Sequence, residues 1–418
     1  MEYIPRLVDS LVQAQLDAAG ALLIRGPKGC GKTETARSHS RSEVTIDDSS
    51  TIQAAMDTDP TILLTGENPR LIDEWQEQPQ LWNSVRHEVD QRKEKGLFIL
   101  TGSSTPRDTQ MKGLHSGVGR FGLITMGTMT WSERGWSTGE VSLHDILNGL
   151  PVQSHVLTTD IATIAERLMI GGWPGNLELD LPTARLANEN YFSILTEIDF
   201  HKAGGPRRST ARVRRVMRSL ARHVSSEASI ARIAADTGGS EKAADRNSIA
   251  DYLDILNRLM VTNDLEAWNT HIRSRARLRT SPKRHLCDSG LSCAALGLTV
   301  DRLKSDIEYL GLLFESAVIH DLRAYISAAR GDVFHYRDSS GLEADAIIEL
   351  PDGSWSAVEV KLGFGAVDTA ARTLLDVAAT VDQSVMGKPR ALIAITGSGF
   401  AHQRPDGVTV VPLGTLRA

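Results

Sequence analysis

The segment Ala21–Thr33, ALLIRGPKGCGKT, joins a short apolar run to the pattern G-x-x-x-x-G-K-T. An apolar run this short, closed by glycines, reads as a buried strand, and the Lys-Thr pair opens a helix. Glycines let the backbone bend closely around a phosphate chain, so that successive N–H groups point at it. The following helix adds the positive end of its dipole. The predicted phosphate-binding residues are Gly26, Pro27, Lys28, Gly29, Cys30, Gly31, Lys32, Thr33 and Glu34. Lys32 is placed to reach the β- and γ-phosphates, and the Thr33 hydroxyl to hold Mg²⁺. ATP with Mg²⁺ is the cofactor pair this segment predicts.

Further along, strand and helix signals alternate, as in an α/β fold with a parallel sheet. Strands are expected near Leu22–Arg25, Val44–Ile46, Leu71–Asp73, Phe98–Thr101 and Leu123–Met126, with helices over Lys32–Ser40 and Leu81–Lys95. The third strand ends in Asp73-Glu74, a Walker-B-like pair. Asp73 is the expected second contact to Mg²⁺, and Glu74 the base that polarises the attacking water. The fourth strand ends in hydroxyls, of which Ser103 is the candidate γ-phosphate sensor, with Thr101 and Ser104 as competitors. Arg120, just before the fifth strand, is the candidate arginine finger acting on a neighbouring subunit's nucleotide, with Arg107 and Arg134 as competitors.

At 418 residues the chain is too long for one core. No run of about 18 apolar residues occurs, so no membrane span is expected. The opening MEYIPRLVDS has an acid at Glu2 and no apolar core, so it does not read as a secretory signal. Three cysteines, Cys30, Cys287 and Cys293, form neither a disulfide framework nor a zinc set, which fits a reducing cytoplasm. The net charge is −6, but residues 201–285 hold 18 Lys/Arg against 8 Asp/Glu. A basic block in an acidic chain predicts a nucleic-acid surface; a solvated face or a contact to an acidic neighbour is the competing explanation.

The opening YIPR, the loop GPKGCGKT, the strands LIDEWQ and ILTGSS and the later GGWPGNL occur in that order. In this the chain resembles, over essentially its whole length, a prokaryotic group of AAA-type ATPases whose C-terminal domain is PD-(D/E)xK nuclease-like. The resemblance implies a cytoplasmic, oligomeric ATPase, a ring being one such assembly. The expected division is a P-loop AAA-type domain over 1–150, a helical connector over 151–205, a winged-helix-like basic domain over 206–285 and an α/β nuclease-like domain over 286–418.

In the middle of the chain, Val213, Val216, Met217, Leu220 and Val224 fall on one helical face, opposite Arg208, Arg212, Arg215, Arg218 and Arg222. Two further helices, a Gly-Gly turn and a strand-like run suggest a winged helix. Arg273, Arg275, Arg277 and Arg279 then alternate along an extended ribbon. Arg208, Arg212, Arg215, Arg222 and the Arg273–Arg284 ribbon are the predicted phosphate contacts to DNA, without base readout. The acids Asp245, Asp251 and Asp254 on the recognition-helix position speak against groove insertion, and winged helices also serve as protein-binding modules.

Near the C-terminus, Glu315 shares a helical face with Ile319, Leu322 and Ile326, and a carboxylate there needs a metal or a cation. An antiparallel meander follows, with Asp345 mid-strand and Glu359 and Lys361 two apart on one face. The ordered set resembles a PD-(D/E)xK nuclease site. In that chemistry Glu315, Asp345 and Glu359 bind Mg²⁺ and Lys361 stabilises developing charge. The competing explanation is a half-exposed sheet with a Glu359–Lys361 pair. The functions these readings predict are an ATPase coupled to a Mg²⁺-dependent nuclease acting on DNA, branched DNA included; a nucleotide-gated regulatory ATPase of a defence or toxin–antitoxin kind with a silent nuclease-like domain; or a chaperone-like ATPase, which the basic block disfavours.

Overall fold

Five short apolar runs, each followed by a helix or loop, build the first sheet. The computed structural model describes residues 3–104, 115–204, 210–238, 246–269 and 281–418. Strands β1 (Ala21–Arg25), β2 (Ser42–Thr45), β3 (Arg70–Asp73), β4 (Phe98–Gly102) and β5 (Phe121–Thr125) lie in the order β2-β3-β4-β1-β5, all parallel. The central strands β4 and β1 are apolar on both faces because helices cover both; Leu22, Ile24, Phe98, Ile99 and Leu100 are fully buried. Ala21 stands opposite both Phe98 and Phe121, and Ile72 opposite Leu100. This register aligns the carboxyl ends of the strands at one edge, where open α/β sheets bind ligands. The expected strands lie within two residues of those observed. The helix expected over Leu81–Lys95 stops at Arg92, because Lys93 turns into the left-handed region at φ 55°.

The middle of the chain is helical. Ile161–Ile170 and Leu181–Ile194 are joined by the GGWPGN turn, and the second runs on through a wide turn, Leu195–Asp199, into Phe200–Gly204. Thr210–Arg222 buries Val213, Val216, Met217 and Leu220, as its pattern requires. Ile230–Gly238 and Arg246–Arg258 follow. After them Thr262 bridges Leu286 and Leu265 bridges Lys283, both antiparallel. A hydrophobic cluster runs without a break from β1 and Cys30 through Trp173 and Phe192 to Met217, Leu256 and Leu291.

A two-residue strand, β6 (Val141–Ser142), lies outside the first sheet. The second sheet contains β7 (Asp332–Arg337), β8 (Glu343–Glu349), β9 (Trp355–Lys361), β10 (Leu392–Thr396), β11 (His402–Gln403) and β12 (Thr409–Pro412), in the order β11-β12-β10-β9-β8-β7. The expected meander, β7 to β9, is antiparallel, but β10 joins β9 in parallel after the crossover helix Val367–Thr380. The sheet is therefore mixed. A last strand, β13 (Leu416–Arg417), returns to pair with β6. The long helix Ile307–Ser327 packs on this sheet, and Trp131, Val141, Leu143 and Ile146 share its core. Residues 131–147 thus rest on the C-terminal module although they follow the first sheet directly.

Candidate functional site

The phosphate loop sits between β1 and the helix Lys32–Ser38. Gly29 and Gly31 adopt φ of 78° and 100°, which side chains rarely tolerate. A Cβ on Gly26 would lie 2.0 Å from the Met126 carbonyl oxygen, so the backbones touch there. Lys32 is buried, and its Nζ donates to the Pro27 carbonyl at 2.9 Å. Thr33 Oγ1 donates to Asp73 Oδ1 at 2.9 Å, and the Thr101 hydroxyl donates to the same oxygen. Glu74 turns into the left-handed region at φ 56°, just past the end of β3 at Asp73. Ser103 Oγ donates to Glu74 Oε2 at 3.2 Å, and the Gln76 amide donates to the same oxygen. The fold therefore brings Lys32, Thr33, Asp73, Glu74 and Ser103 to one edge, with Thr101 at the centre of their hydrogen bonds. Glu34 is exposed and pairs with Arg37.

Arg6, inside YIPR, belongs to the same site although it lies outside the phosphate-loop pattern. Its Nη1 donates to the Cys30 carbonyl at 2.8 Å, its Nη2 to the Gly127 and Thr128 carbonyls at 3.1 and 3.2 Å, and its Nε to Glu133 at 2.8 Å. Over the loop lies the GGWPGN turn: a Cβ on Gly31 would meet Pro174 at 3.5 Å. Lys28 reaches Asp199 at 3.1 Å. Arg134 holds the turn by donating to the carbonyls of Trp173 and Asn176, each at 3.3 Å. Arg120 pairs with Asp90 at 2.8 Å. It precedes β5, at the sheet edge opposite its own phosphate loop. Arg107 lies outside the described residues.

A second cluster forms in the C-terminal module. The helix Ile307–Ser327 supplies Glu315, β8 supplies Asp345, and β9 supplies Glu359 and Lys361. Lys361 Nζ lies 2.7 Å from Glu359 Oε1, and Asp345 Oδ2 accepts the Val360 N–H at 2.7 Å. Between the carboxylates stands a residue read from sequence as part of a surface ribbon: Lys283 Nζ is 2.9 Å from Glu315 Oε1 and 3.5 Å from Asp345 Oδ1. Burial pushes the Glu315 carboxyl up to about 8, helped by the Asp345 charge and opposed by Lys283. Burial likewise pushes Glu359 up to about 7, helped by Asp345 and opposed by Lys361. For Lys283, burial works to lower the ammonium's pKa, and the Glu315 and Asp345 charges overcome it, so the group is held above the ordinary lysine range.

These residues as arranged do not fit a divalent ion. Among the described residues, no group of three or more His, Cys, Asp or Glu side chains is disposed to hold a metal. Of the three carboxylates expected to form a Mg²⁺ shell, Glu315, Asp345 and Glu359, the first two have the Lys283 ammonium beside them.

Of the DNA candidates, Arg212, Arg215 and Arg222 lie on the helix Thr210–Arg222. Arg212 and Arg215 are half-buried, and Arg222 is exposed 4.0 Å from Asp236. Arg208, Arg273, Arg275, Arg277 and Arg279 lie outside the described residues. Arg284, at the end of the expected ribbon, is buried against Asp264 and the Ala228 carbonyl.

Residues 18–134 match a family model described as an AAA domain. Residues 161–302 match a domain of unknown function (DUF8612), and residues 310–416 match another (DUF4143). No curated protein matches the chain. A solved structure, the Walker-type ATPase PABY2304 of Pyrococcus abyssi, is similar over 70% of this chain and 96% of its own, at 13% identity and a TM-score of 0.42. The AAA match and the site geometry together support an ATPase of the AAA type. Among the described residues, no helix is long and apolar enough to cross a membrane.

The raised carboxyls set a pH dependence. Groups whose folded pKa lies above the ordinary carboxylate value stabilise the fold at low pH, and that stability is lost as pH rises through about 7 for Glu359 and about 8 for Glu315. Thermal melting should therefore occur at falling temperature from pH 5 to pH 8, with a shallower decline in Glu359→Gln. A melting temperature that rises over this range would contradict the assignment.

Proposed function

We propose that this chain is an ATP-hydrolysing switch that works on DNA as an oligomer, and that its nuclease-like module is silent. The observation that carries the ATPase reading is the convergence of Lys32, Thr33, Asp73, Glu74 and Ser103 on the carboxyl edge of one parallel sheet. Thr33 and Asp73 are the residues that would hold the Mg²⁺ of a bound nucleotide, which neutralises phosphate charge. Lys32 adds a second positive charge from within the loop. Glu74, held by Ser103 and Gln76, is aimed to accept a proton from an attacking water. Arg6 ties the loop to residues 127–133, and the GGWPGN turn ties it to the helical middle. A change at the phosphates is thereby felt in both neighbouring modules.

The DNA reading rests on the basic balance of residues 201–285 and on the order of helices Thr210–Arg222, Ile230–Gly238 and Arg246–Arg258 before the bridged segments, which is that of a winged helix. The oligomer reading rests on Arg120, which stands at the opposite edge of its own sheet, away from its own phosphate loop, where it pairs with Asp90. Between a Mg²⁺-dependent nuclease and a silent nuclease-like module, the ammonium of Lys283 among the carboxylates favours the second.

Lys32→Ala should lower ATP turnover by at least about a hundredfold, as removal of a preorganised charge does at other active sites; near-normal turnover would sink the ATPase reading. DNA retention, measured by fluorescence anisotropy, should fall steeply between 50 and 200 mM salt, as counterion release demands; a flat response would place the basic face against protein. Mixing Arg120→Ala with Lys32→Ala, each inactive alone, should restore part of the turnover, because one active interface forms per mixed contact. A mixture as inactive as its parts would count against action between subunits.

A further inference from the structure

Against the outer face of the phosphate loop, the three matched stretches of the chain close on a cavity of about 400 Å³. The first stretch lends it Arg25 and Pro27, the middle one Arg258 and Asn263, and the helix Ile307–Ser327 lends His320 and Arg323. The cavity is not the seat of the loop's own nucleotide. The N–H groups of such a loop face the phosphates, so its carbonyls face away from them. Arg6, which borders the cavity, is bound to one of those carbonyls, that of Cys30. Among the described residues, those lining the cavity do not include Lys32, Thr33 or any member of the GGWPGN turn. Its charge is one-sided: among the described residues, four arginines and a histidine face one carboxylate, Glu133. Glu133 is already used, by Arg6 at 2.8 Å and by the Thr130 N–H at 2.8 Å. His320 is matched by Asp321 at 3.0 Å. Arg25 spends its Nε on the Thr125 hydroxyl at 3.1 Å, and its other donors have no partner among the described residues. Arg323 donates to the neutral carbonyls of Asn263 and Asp264 at 2.6 and 2.7 Å. Burial pushes its pKa down to about 10, opposed by the charges of Asp264, Glu266 and Asp332. Arg258 pairs through Nε with Asp254 at 3.0 Å, but the Asp254 side chain is 66% exposed, so water screens the pair.

We infer that this cavity binds a small phosphorylated molecule, separate from the ATP of the loop, with its phosphate among Arg25, Arg258 and Arg323. Positive charge gathered in a partly enclosed space favours a ligand that carries more than one negative charge. One guanidinium fork satisfies a carboxylate, whereas several forks suit the several oxygens of a phosphate. Met126 and Met260 line the same space and offer an apolar wall to the rest of the ligand. The volume is that of small-molecule sites, which form preferentially where domains meet. Each of the three arginines comes from a different matched stretch, so the anion joins all three. Arg25 closes β1 and immediately precedes Gly26, so occupancy is felt at the first residue of the phosphate loop. The ligand is thus an effector of the nucleotide site, and each of the two bound molecules alters the affinity for the other.

The test is a calorimetric titration of the full chain with pyrophosphate, its loop first filled with a non-hydrolysable ATP analogue and equimolar Mg²⁺. The wild type should bind about one pyrophosphate per chain, as one cavity requires. Arg258→Gln should bind it at least about tenfold more weakly, the cost of a lost charge-assisted hydrogen bond, while taking up the analogue as the wild type does. Arg25→Gln should weaken pyrophosphate equally; where that change also weakens the analogue, Arg258→Gln alone decides. Pyrophosphate should raise the melting temperature of the wild type and leave that of Arg258→Gln unmoved. Absence of binding at millimolar pyrophosphate would overturn the inference, as would binding untouched in Arg258→Gln. So would displacement of the bound pyrophosphate by duplex DNA, for the arginines would then serve a polymer backbone. Failure of the analogue to bind would count against the ATPase reading alone, because pyrophosphate binding that depends on Arg258 does not pass through the loop.

Discussion

A single buried guanidinium organises the nucleotide end of this molecule. Arg6 and Glu133 are 6% and 5% exposed, and a charge pair removed from water to that degree is tolerable only when its remaining donors are used. Arg6 uses them on three carbonyls, one in the phosphate loop and two just beyond β5. The loop's shape and the path of the chain after β5 are thereby set together. From that path a second network continues inward. Thr128 donates to Asp288 at 2.9 Å, Asp288 accepts the Gly172 N–H at 2.8 Å, and the Trp131 N–H donates to Asp321 at 2.9 Å. The phosphate loop, the turn above it and the helix Ile307–Ser327 are consequently joined by hydrogen bonds between buried groups, which do not slide past one another without exposing an unpaired polar atom.

Sharing of apolar cores reinforces this. One cluster unites the first sheet with the helical middle, and another unites residues 131–147 with the second sheet. Boundaries drawn from composition assume that each module buries its own side chains, but here neighbouring modules contribute to common interiors. Local rearrangement at the phosphate loop therefore has packed material on every side through which to act, as coupling between distant sites requires.

What sequence made legible is what depends on local pattern. The phosphate loop is a fixed spacing of glycines, Lys32 and Thr33, and the strands behind it are apolar runs, so both were readable. The order of Glu315, Asp345, Glu359 and Lys361 was readable because each sits in an element with its own periodicity. Lys283 was not: it follows four alternating arginines, and nothing local distinguishes a buried lysine from an exposed one. Its burial is decided by Glu315, 32 positions away. Arg284 misled for the same reason, since Asp264 lies 20 positions away. Arg6 looked like an ordinary basic residue near a turn, because its partners include Glu133, 127 positions on. The parallel pairing of β10 with β9 also escaped, as a crossover helix separates strands that a hairpin pattern would keep adjacent.

The outer strand of the second sheet has a further consequence. The Trp268 N–H donates to the His335 carbonyl at 2.6 Å, and the His335 N–H donates to the Glu266 carbonyl at 2.9 Å, so the middle of β7 is already engaged by the segment Glu266–Trp268. An open rim of this kind is ordinarily a template on which foreign chains polymerise as added strands. Here the molecule supplies its own guard rail, so the middle of this edge strand is not free to extend another chain's backbone ladder.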